Sequence, residues 1–237
     1  MLRGAEDLEL AVAAIRAERA AGHAVVAVVS AFGGTTDALL AEARAAELAP
    51  APFVSLVASG EGHAAAELGA ALAAAGIAAG SLRAEETGIT TTGARLDAAP
   101  VGFDPAPLTA ELARAPVVVL PGFVAPRADG TLSLLGRGGS DLTAVFVAGH
   151  LRAARCVLFK DVDGLYEWDP LDAERGTPRR YARATWADVL ALPERVVQHK
   201  AVHAARALGV RFELGGWNGA ATTHIGSEPA HLVPLRS

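Results

Sequence analysis

The sequence predicts an α/β fold in which helices cover both faces of a mainly parallel sheet. Helical and strand patterns alternate along the chain, as is typical of such folds. The strand candidates, such as residues 24–29 and 117–120, are continuous Val-rich runs, which favours strands buried on both faces. With 237 residues, 51% of them hydrophobic, the chain can bury a sizeable core. We expect one domain over residues 1–237, with an N-terminal part to about residue 120 and a C-terminal part from about residue 121.

The individual elements follow from apolar periodicity and from the positions of glycine and proline. Residues 5–21 alternate charged and apolar positions before Gly22, which is typical of a helix closed by a glycine. The alanine-rich residues 53–75 predict a helix that Gly60 and Gly62 interrupt. The other predicted elements are a helix to about residue 47, a hairpin over 123–135, strands over 156–159 and near 212, and helices over 142–153, 186–192 and 195–208.

Composition and charge exclude several classes of protein. The chain has 21 basic and 26 acidic residues, a net charge of −5, which argues against a nucleic-acid-binding surface. Cys156 is the single cysteine, so no intramolecular disulfide is expected. The sequence has no apolar run long enough to span a membrane, and its first residues lack the apolar core of a signal peptide. We therefore expect a cytoplasmic protein without nucleic-acid or membrane partners.

A glycine pair, Gly33 and Gly34, follows the first predicted strand and precedes a helix. Glycine lets backbone N–H groups approach an anion closely, and the start of a helix adds the positive end of its dipole. The same pattern occurs in tight strand-to-helix turns that bind nothing. Taken alone, the pair allows both interpretations.

Two further segments follow predicted strands. Residues 136–141 read Gly-Arg-Gly-Gly-Ser-Asp and lead into a helix; Ser140 or Asp141 would cap that helix, or the loop would lie beside a phosphate. Residues 160–170 combine Lys, Asp and aromatic side chains, which suit a nucleotide, although a solvated loop is the alternative. Ligands of α/β proteins bind at the carboxyl ends of strands, where all three loops are predicted to lie.

These segments resemble the aspartokinase branch of the amino acid kinase family. Residues 30–37 match its Ser-Ala-x-Gly-Gly-x-Thr-(Asn/Asp) segment, and residues 60–61 match a Gly-Glu pair within a helix. Residues 136–144 match Gly-Arg-Gly-Gly-Ser-Asp-x-Thr-Ala in full. Residues 160–170 match Thr-Asp-Val-x-Gly-(Ile/Val)-Tyr-x-x-Asp-Pro, with Lys in place of the first Thr. The resemblance continues through residues 195–201 and 221–225, and so covers nearly the whole chain.

The resemblance implies a three-layer αβα sandwich, the amino acid kinase (carbamate kinase-like) fold. It implies ATP-dependent phosphorylation of a side-chain carboxylate, aspartate to 4-phospho-aspartate, with Mg²⁺ carried by the ATP, no separate metal site and a possible homodimer. The resemblance assigns phosphoryl transfer to Asp141, Gly33, Gly34 and Arg195. Nucleotide binding is assigned to Lys160, Asp161, Tyr166, Asp169 and Pro170. Binding of the amino acid substrate is assigned to Ser30, Glu61, Arg137, Gly138, Gly139 and Ser140.

The sequence also departs from the family pattern. Active members open with a strand ending Lys-Phe-Gly-Gly-Thr-Ser, whose Lys contacts the transferred phosphate, and we expect no counterpart of it here. Arg195 stands where the family has Lys, Leu171 where it has Arg, and Ala64 where it has Ser. Arg95 is the one candidate to clamp the substrate carboxylate. Two alternatives stay open: a non-catalytic nucleotide-binding paralogue, and a kinase of another small acid. No feedback by ligand-sensing domains is expected.

Overall fold

The computed structural model describes residues 4–217 and 222–234, which form two compact units. Unit 1 is Met1–Thr143 and unit 2 is Ala144–Ser237. Each unit combines helices with parallel strand pairs, which confirms the predicted α/β class. The single-domain organisation stays a prediction, and the family resemblance at residue 221 lies outside the described residues.

Unit 1 places a long helix against a small parallel sheet and two hairpins. Its helix α1 begins with Glu6 and Asp7 and has Arg19 in its last turn, charges that complement the helix dipole. Its elements, in chain order, are α1 (Ala5–Ala20), β1 (Val25–Val29), α2 (Thr35–Ala45), α3 (Pro50–Ala74), β2 (Ala79–Ser81), β3 (Ile89–Ala94), β4 (Asp97–Phe103), α4 (Ala106–Arg114), β5 (Val117–Pro121), β6 (Val124–Pro126), β7 (Leu132–Leu134) and the start of α5 (Gly139–His150).

The sheet of unit 1 has three parallel strands in the order β1-β5-β2. Every residue of the central strand β5 is buried, as its continuous apolar run predicts. Val29 of β1 pairs with Pro121 of β5, so the carboxyl ends of the two strands lie side by side. The loops that follow β1 and β5 therefore leave the sheet from the same edge.

Two antiparallel hairpins, β3–β4 and β6–β7, are joined by polar contacts. The Thr91 hydroxyl lies 2.7 Å from the hydroxyl of Ser133 and 3.0 Å from the carbonyl of Pro126. The Arg127 guanidinium donates to the carbonyl of Gly93 at 2.8 Å. The hairpin predicted over residues 123–135 is confirmed, whereas the β3–β4 hairpin was not predicted.

Unit 2 is built on one six-stranded mixed sheet. The strand order is β13-β10-β12-β11-β8, with β9 paired to β10. The pairs β8–β11 and β10–β12 are parallel and the others are antiparallel. After α5, its elements are β8 (Val157–Lys160), β9 (Leu165–Tyr166), β10 (Arg180–Thr185), α6 (Trp186–Ala191), α7 (His199–Leu208), β11 (Phe212–Gly216), β12 (Thr222–Gly226) and β13 (His231–Val233).

Three predicted helix details are wrong. Helix α3 runs through Gly60 and Gly62 without interruption, because about 1 kcal/mol per helical glycine is outweighed by its buried apolar face. Helix α5 begins at Gly139 and not at residue 142, so the end of the glycine motif forms its first turn. Helix α7 begins at His199, which leaves Arg195 in the preceding turn.

Among residues 4–217 and 222–234, no helix combines the length and apolar character that crossing a membrane requires.

The two glycines of α3 should respond differently to alanine. Gly62→Ala should stabilise the protein by about 0.5–1 kcal/mol, since alanine favours helix and, apart from the adjacent residues and the helix's own backbone, nothing lies within 4 Å of the added methyl. In Gly60→Ala, the methyl would lie 3.1 Å from Leu39 Cδ1 and 3.2 Å from both Ala31 Cβ and Thr35 Cγ2. We expect Gly60→Ala to be less stable than Gly62→Ala by about 1 kcal/mol. Urea unfolding measures both variants, and equal stabilities would contradict the tight packing at Gly60.

Candidate active site

The loop after β1 carries the first glycine pair. Ser30 directly follows the strand and is half-buried, while Gly33 and Gly34 are exposed. Gly34 precedes α2 with a φ of 80°, a left-handed conformation that glycine adopts without strain. The first turn of α2 leaves backbone N–H groups without intrahelical partners, next to these glycines. The loop therefore presents amide donors at the edge of the sheet.

Helix α3 contacts this loop through three of its residues. Gly60 has no side chain, which lets Ala31 and Thr35 approach the helix closely. The backbone N–H of Ala31 donates to Glu61 Oε2 at 2.5 Å. The ring of Phe32 packs edge-on against the ring of His63, with centroids 5.9 Å apart. The Gly-Glu pair in the sequence thus positions the glycine loop.

Glu61 is a buried carboxyl group with an unusual proton affinity. Its side chain is 2% exposed. Burial raises its pKa from the usual 4.5 to about 8, and the hydrogen bond from Ala31 only partly opposes this shift. In the described part of the chain, every buried polar side-chain atom has a hydrogen-bond partner. The Ala31 N–H binds Oε2, so Oε1 is the oxygen that this contact leaves available.

Gly122, directly after β5, brings the start of α5 to the end of β1. Its N–H donates to the carbonyl of Val29 at 2.8 Å. A Cβ on Gly122 would lie 2.8 Å from both that carbonyl oxygen and Ser140 Cβ. Glycine is therefore required at position 122 for α5 to approach the end of β1 so closely. Ser140, in the first turn of α5, therefore lies near the end of β1 at Val29.

The second glycine loop is shaped by backbone conformation and by packing. Gly136 and Gly138 have φ values of 68° and 74°, which favour glycine. A Cβ on Gly139 would lie 2.8 Å from Phe123 Cδ2 and 2.9 Å from Leu135 Cβ, so only glycine fits there. Backbone conformation and packing thus account for all three glycines of the motif.

The two charged residues of this motif lie at different depths. Arg137 is exposed on the loop, and Asp141 is half-buried in the first turn of α5. Unit 1 therefore brings Ser30, the two glycine loops and Glu61 to one edge of its sheet. Arg95 is placed differently: its guanidinium donates to the carbonyl of Leu132 at 3.4 Å, within the pair of hairpins.

In unit 2, Lys160 ends strand β8 beside a pair of stacked rings. Lys160 pairs in register with Gly216 at the end of β11. The preceding Phe159 stacks on Trp217, with ring centroids 4.2 Å apart and planes 2° from parallel. Trp217 directly follows the end of β11. Its stack against a residue next to Lys160 adds an aromatic surface at the carboxyl end of β8.

The polar loop after β8 is held by hydrogen bonds to its own unit. Gly164 has a φ of 145°, and a Cβ there would lie 2.9 Å from the hydroxyl of Thr223. That hydroxyl accepts the N–H of Leu165 at 2.8 Å. The Tyr166 hydroxyl donates to Asp163 Oδ1 at 2.8 Å, and burial together with this bond raises the pKa of Tyr166 to about 12. Tyr166 therefore stays a neutral donor at physiological pH.

Two predicted residues of unit 2 meet in an ion pair. Arg195 Nη1 donates to Asp169 Oδ2 at 2.7 Å, while Asp169 Oδ1 accepts the N–H of Leu171 at 2.9 Å. Asp161 and Pro170 are exposed on the same loop. The Arg195 side chain is 70% exposed, so the pair contributes little to stability. Its position on the loop leaves the guanidinium accessible to a ligand.

The described residues contain no cluster of side chains that could bind a metal ion. No three His, Cys, Asp or Glu side chains there are close enough to hold a metal ion together. In the 160–170 loop, Asp163 accepts the Tyr166 hydroxyl and Asp169 pairs with Arg195.

Sequence reasoning missed several residues that shape the two loop regions. Gly122 follows Pro121 at the end of a buried strand, a position that repeats the strand-glycine pattern of residues 33–34. This repeated pattern in the sequence could have identified Gly122 as a site residue. The role of Thr223, which is fully buried and joins two strands to the polar loop, had no such signal, because its contacts are distant in sequence.

Comparison with known proteins places the chain in a family. The sequence profile of the amino acid kinase family matches residues 1–208. The chain belongs to the amino acid kinase family. The resemblance inferred from the glycine motifs and the predicted amino acid kinase fold are confirmed.

Individual relatives within the amino acid kinase family include aspartokinases. The chain is 37% identical over 196 residues to the aspartokinase of Thermus thermophilus, over 81% of this chain and 48% of that protein. It thus spans about half the length of the curated relatives it matches. The aspartate kinase structure from Synechocystis superposes with a TM-score of 0.77 at 27% identity, covering 98% of this chain and 38% of that one. Escherichia coli aspartokinase III with aspartate and ADP gives 0.77 at 20% identity, covering 94% and 62%, a likeness of fold alone.

The buried Glu61 should make stability depend on pH. The unfolded chain releases this proton near pH 4.5, whereas the folded chain keeps it to about pH 8, so stability falls as pH rises across that window. The contribution is at most about 1.4 kcal/mol per pH unit. Glu61→Gln removes this pH-dependent contribution and keeps a side-chain oxygen that accepts the N–H of Ala31. Urea unfolding at several pH values measures the slope.

The matched control for this experiment is Glu67→Gln, an exposed position on the same helix. The control should keep the slope of the wild-type protein. An unchanged slope in Glu61→Gln would mean that Glu61 is ionised in the folded protein at neutral pH.

Proposed function

We propose that this protein transfers the γ-phosphoryl group of ATP to the side-chain carboxylate of aspartate, forming 4-phospho-aspartate and ADP. The proposal is supported by membership of the amino acid kinase family and by 37% identity to an aspartokinase. The observation that carries it is the assembly at one edge of the unit 1 sheet. There, Gly60 and Gly122 bring two glycine loops and the start of α5 to the end of β1.

The reaction requires positioning more than a strong base. One oxygen of the substrate carboxylate attacks the γ-phosphorus, a new P–O bond forms, and the bond to the bridging oxygen breaks as ADP leaves. A carboxylate is already ionised at neutral pH, so no proton has to be removed from the nucleophile. The protein has to orient the two reactants and stabilise negative charge on the transferred phosphoryl oxygens. Backbone amides are suited to that task.

In this proposal, unit 1 supplies the groups for the amino acid and for the transferred phosphoryl group. Amides of Gly33 and Gly34 donate to phosphoryl oxygens, and Asp141 orients the cationic groups around them. Oε1 of Glu61 binds the substrate ammonium group. Ser30 and the loop of Arg137, Gly138, Gly139 and Ser140 bind the carboxylates of the amino acid.

Unit 2 binds the nucleotide in this proposal, and ATP enters as its magnesium complex. Lys160 is a cation at the end of β8, next to the stacked Phe159 and Trp217. Aromatic rings suit the base and a cation suits the phosphates. Tyr166 offers a neutral hydroxyl, and Asp161 and Pro170 an exposed part of the loop. Arg195, oriented by Asp169, adds a second cation that neutralises phosphate charge.

A trapping assay tests the proposed reaction. Acyl phosphates react with hydroxylamine to give coloured hydroxamates, so the protein with ATP, Mg²⁺ and aspartate should form a hydroxamate. Asp141→Asn should lower kcat by about 100-fold or more, the usual cost of losing one such electrostatic contact. Glu42→Gln, an exposed acid further along α2, is the matched control and should keep full activity.

The outcomes of this assay separate the candidate functions. A product with another acid but none with aspartate would identify a different acceptor. Calorimetric binding of ATP with no hydroxamate from any acid would overturn catalysis and support the nucleotide-binding paralogue.

The proposed role of Glu61 makes aspartate binding depend on pH. An ammonium group favours the ionised carboxylate, but free Glu61 holds its proton to about pH 8. The KM for aspartate should therefore fall as pH rises from 6 to 8, by up to about tenfold per pH unit. Glu61→Gln should raise KM, remove this dependence and change kcat less. A KM that is independent of pH in the wild-type protein would rule out this role.

A further inference from the structure

Unit 2 contains a cavity of about 530 Å³ away from the predicted loops. It lies where β8 and β11 begin and where β10 and β12 end, and its lining includes Arg155, Arg183, Arg211 and His224. Lys160 is at the other end of β8, roughly 10 Å along the strand at 3.3 Å per residue. The volume is within the range of small-molecule sites, roughly 300–1,000 Å³. The cavity is therefore a separate candidate site.

The charges around this cavity are unevenly paired. Arg155 and Glu213 form a two-bond pair with both distances at 2.7 Å, which lowers the pKa of Glu213. Arg183 and Arg211 share a single carboxylate, Glu228, through one contact of 3.3 Å each. Three guanidinium groups thus face two carboxylates. Each guanidinium has five donors, so most donors of Arg183 and Arg211 are not used by Glu228.

The shared carboxylate is loosely held. The Glu228 side chain is 52% exposed, compared with 17% for Glu213. Exposed single-contact pairs contribute little energy and are easily exchanged for another anion. A ligand that carries two adjacent negative groups could bind both guanidinium groups in place of Glu228.

The cationic side chains are positioned by the sheet itself. Arg183 of β10 lies opposite His224 of β12, which lies opposite Glu213 of β11. Directly paired residues of neighbouring strands point to the same face, so these three side chains form one polar row. A Cβ on Gly226 would lie 2.7 Å from Arg211 Cγ. Glycine at the end of β12 therefore makes room for the stem of Arg211 beside this row.

We propose that this cavity binds a small polyanion, with two neighbouring phosphate or carboxylate groups held by Arg183 and Arg211 in place of Glu228. Guanidinium groups bind both kinds of anion through paired hydrogen bonds. Arg155 stays paired with Glu213 and fixes the border of the site. The site is independent of the proposed phosphoryl transfer, since none of its residues belongs to the glycine loops or to the 160–170 loop.

Calorimetric titration with pyrophosphate and, separately, with citrate tests the proposal and distinguishes phosphate from carboxylate ligands. Arg183→Gln and Arg211→Gln should each weaken binding roughly tenfold or more, the effect of one lost charge-assisted contact. Glu228→Gln should tighten binding several-fold, because it removes the competing carboxylate. Arg206→Gln, an exposed arginine of α7 outside the cavity, is the matched control and should bind like the wild type.

A further variant separates this cavity from the candidate nucleotide loop. Lys160→Gln should leave pyrophosphate binding at the cavity unchanged. The proposal is overturned if neither anion binds the wild-type protein at millimolar concentration, if the two cavity arginine variants bind as the wild type does, or if Lys160→Gln alone abolishes binding. None of these readouts depends on enzymatic activity.

Discussion

The architecture of unit 1 depends on the contact between helix α3 and the loop that follows β1. Gly60 removes the side chain that would keep the loop away, and Glu61 then accepts the backbone N–H of Ala31. The two residues act together: the glycine sets the separation and the glutamate sets the register. The loop glycines next to it are free of side chains and exposed. The helix thus holds in place a backbone segment whose own side chains are too small to anchor it.

The same contact has an electrostatic cost. Placing a carboxyl group under the loop strips it of water, and one backbone hydrogen bond restores only part of the lost solvation. The protein keeps a protonated acid at neutral pH as a result. Surface carboxylates are instead paired with arginines, as in Glu86–Arg83 of unit 1 and in Asp169–Arg195 and Glu167–Arg179 of unit 2.

Local sequence patterns predicted most of the secondary structure but not the contacts that shape the candidate site. Continuous apolar runs indicated β1, β5 and β8, but only β5 is buried along its whole length, whereas β1 and β8 are largely half-buried. The β3–β4 hairpin had no such apolar signal, because residues 90–94 read Thr-Thr-Thr-Gly-Ala. Its contacts are with residues about 40 positions away in the chain, such as Ser133. Motif resemblance identified the glycine loops, whereas the packing of Gly122 on Ser140 is a tertiary property.

The order of strands in the unit 1 sheet constrains how this chain folds. Its central strand β5 pairs with β1, so Val25 meets Val117 only after the whole intervening segment has been enclosed. Closing so long a loop costs entropy before any ladder bond is gained. Helices α2 and α3 are neighbours in sequence and contact each other, so they can associate early. Assembly of this unit should therefore be slow and nucleated by helices, with the parallel sheet completed last.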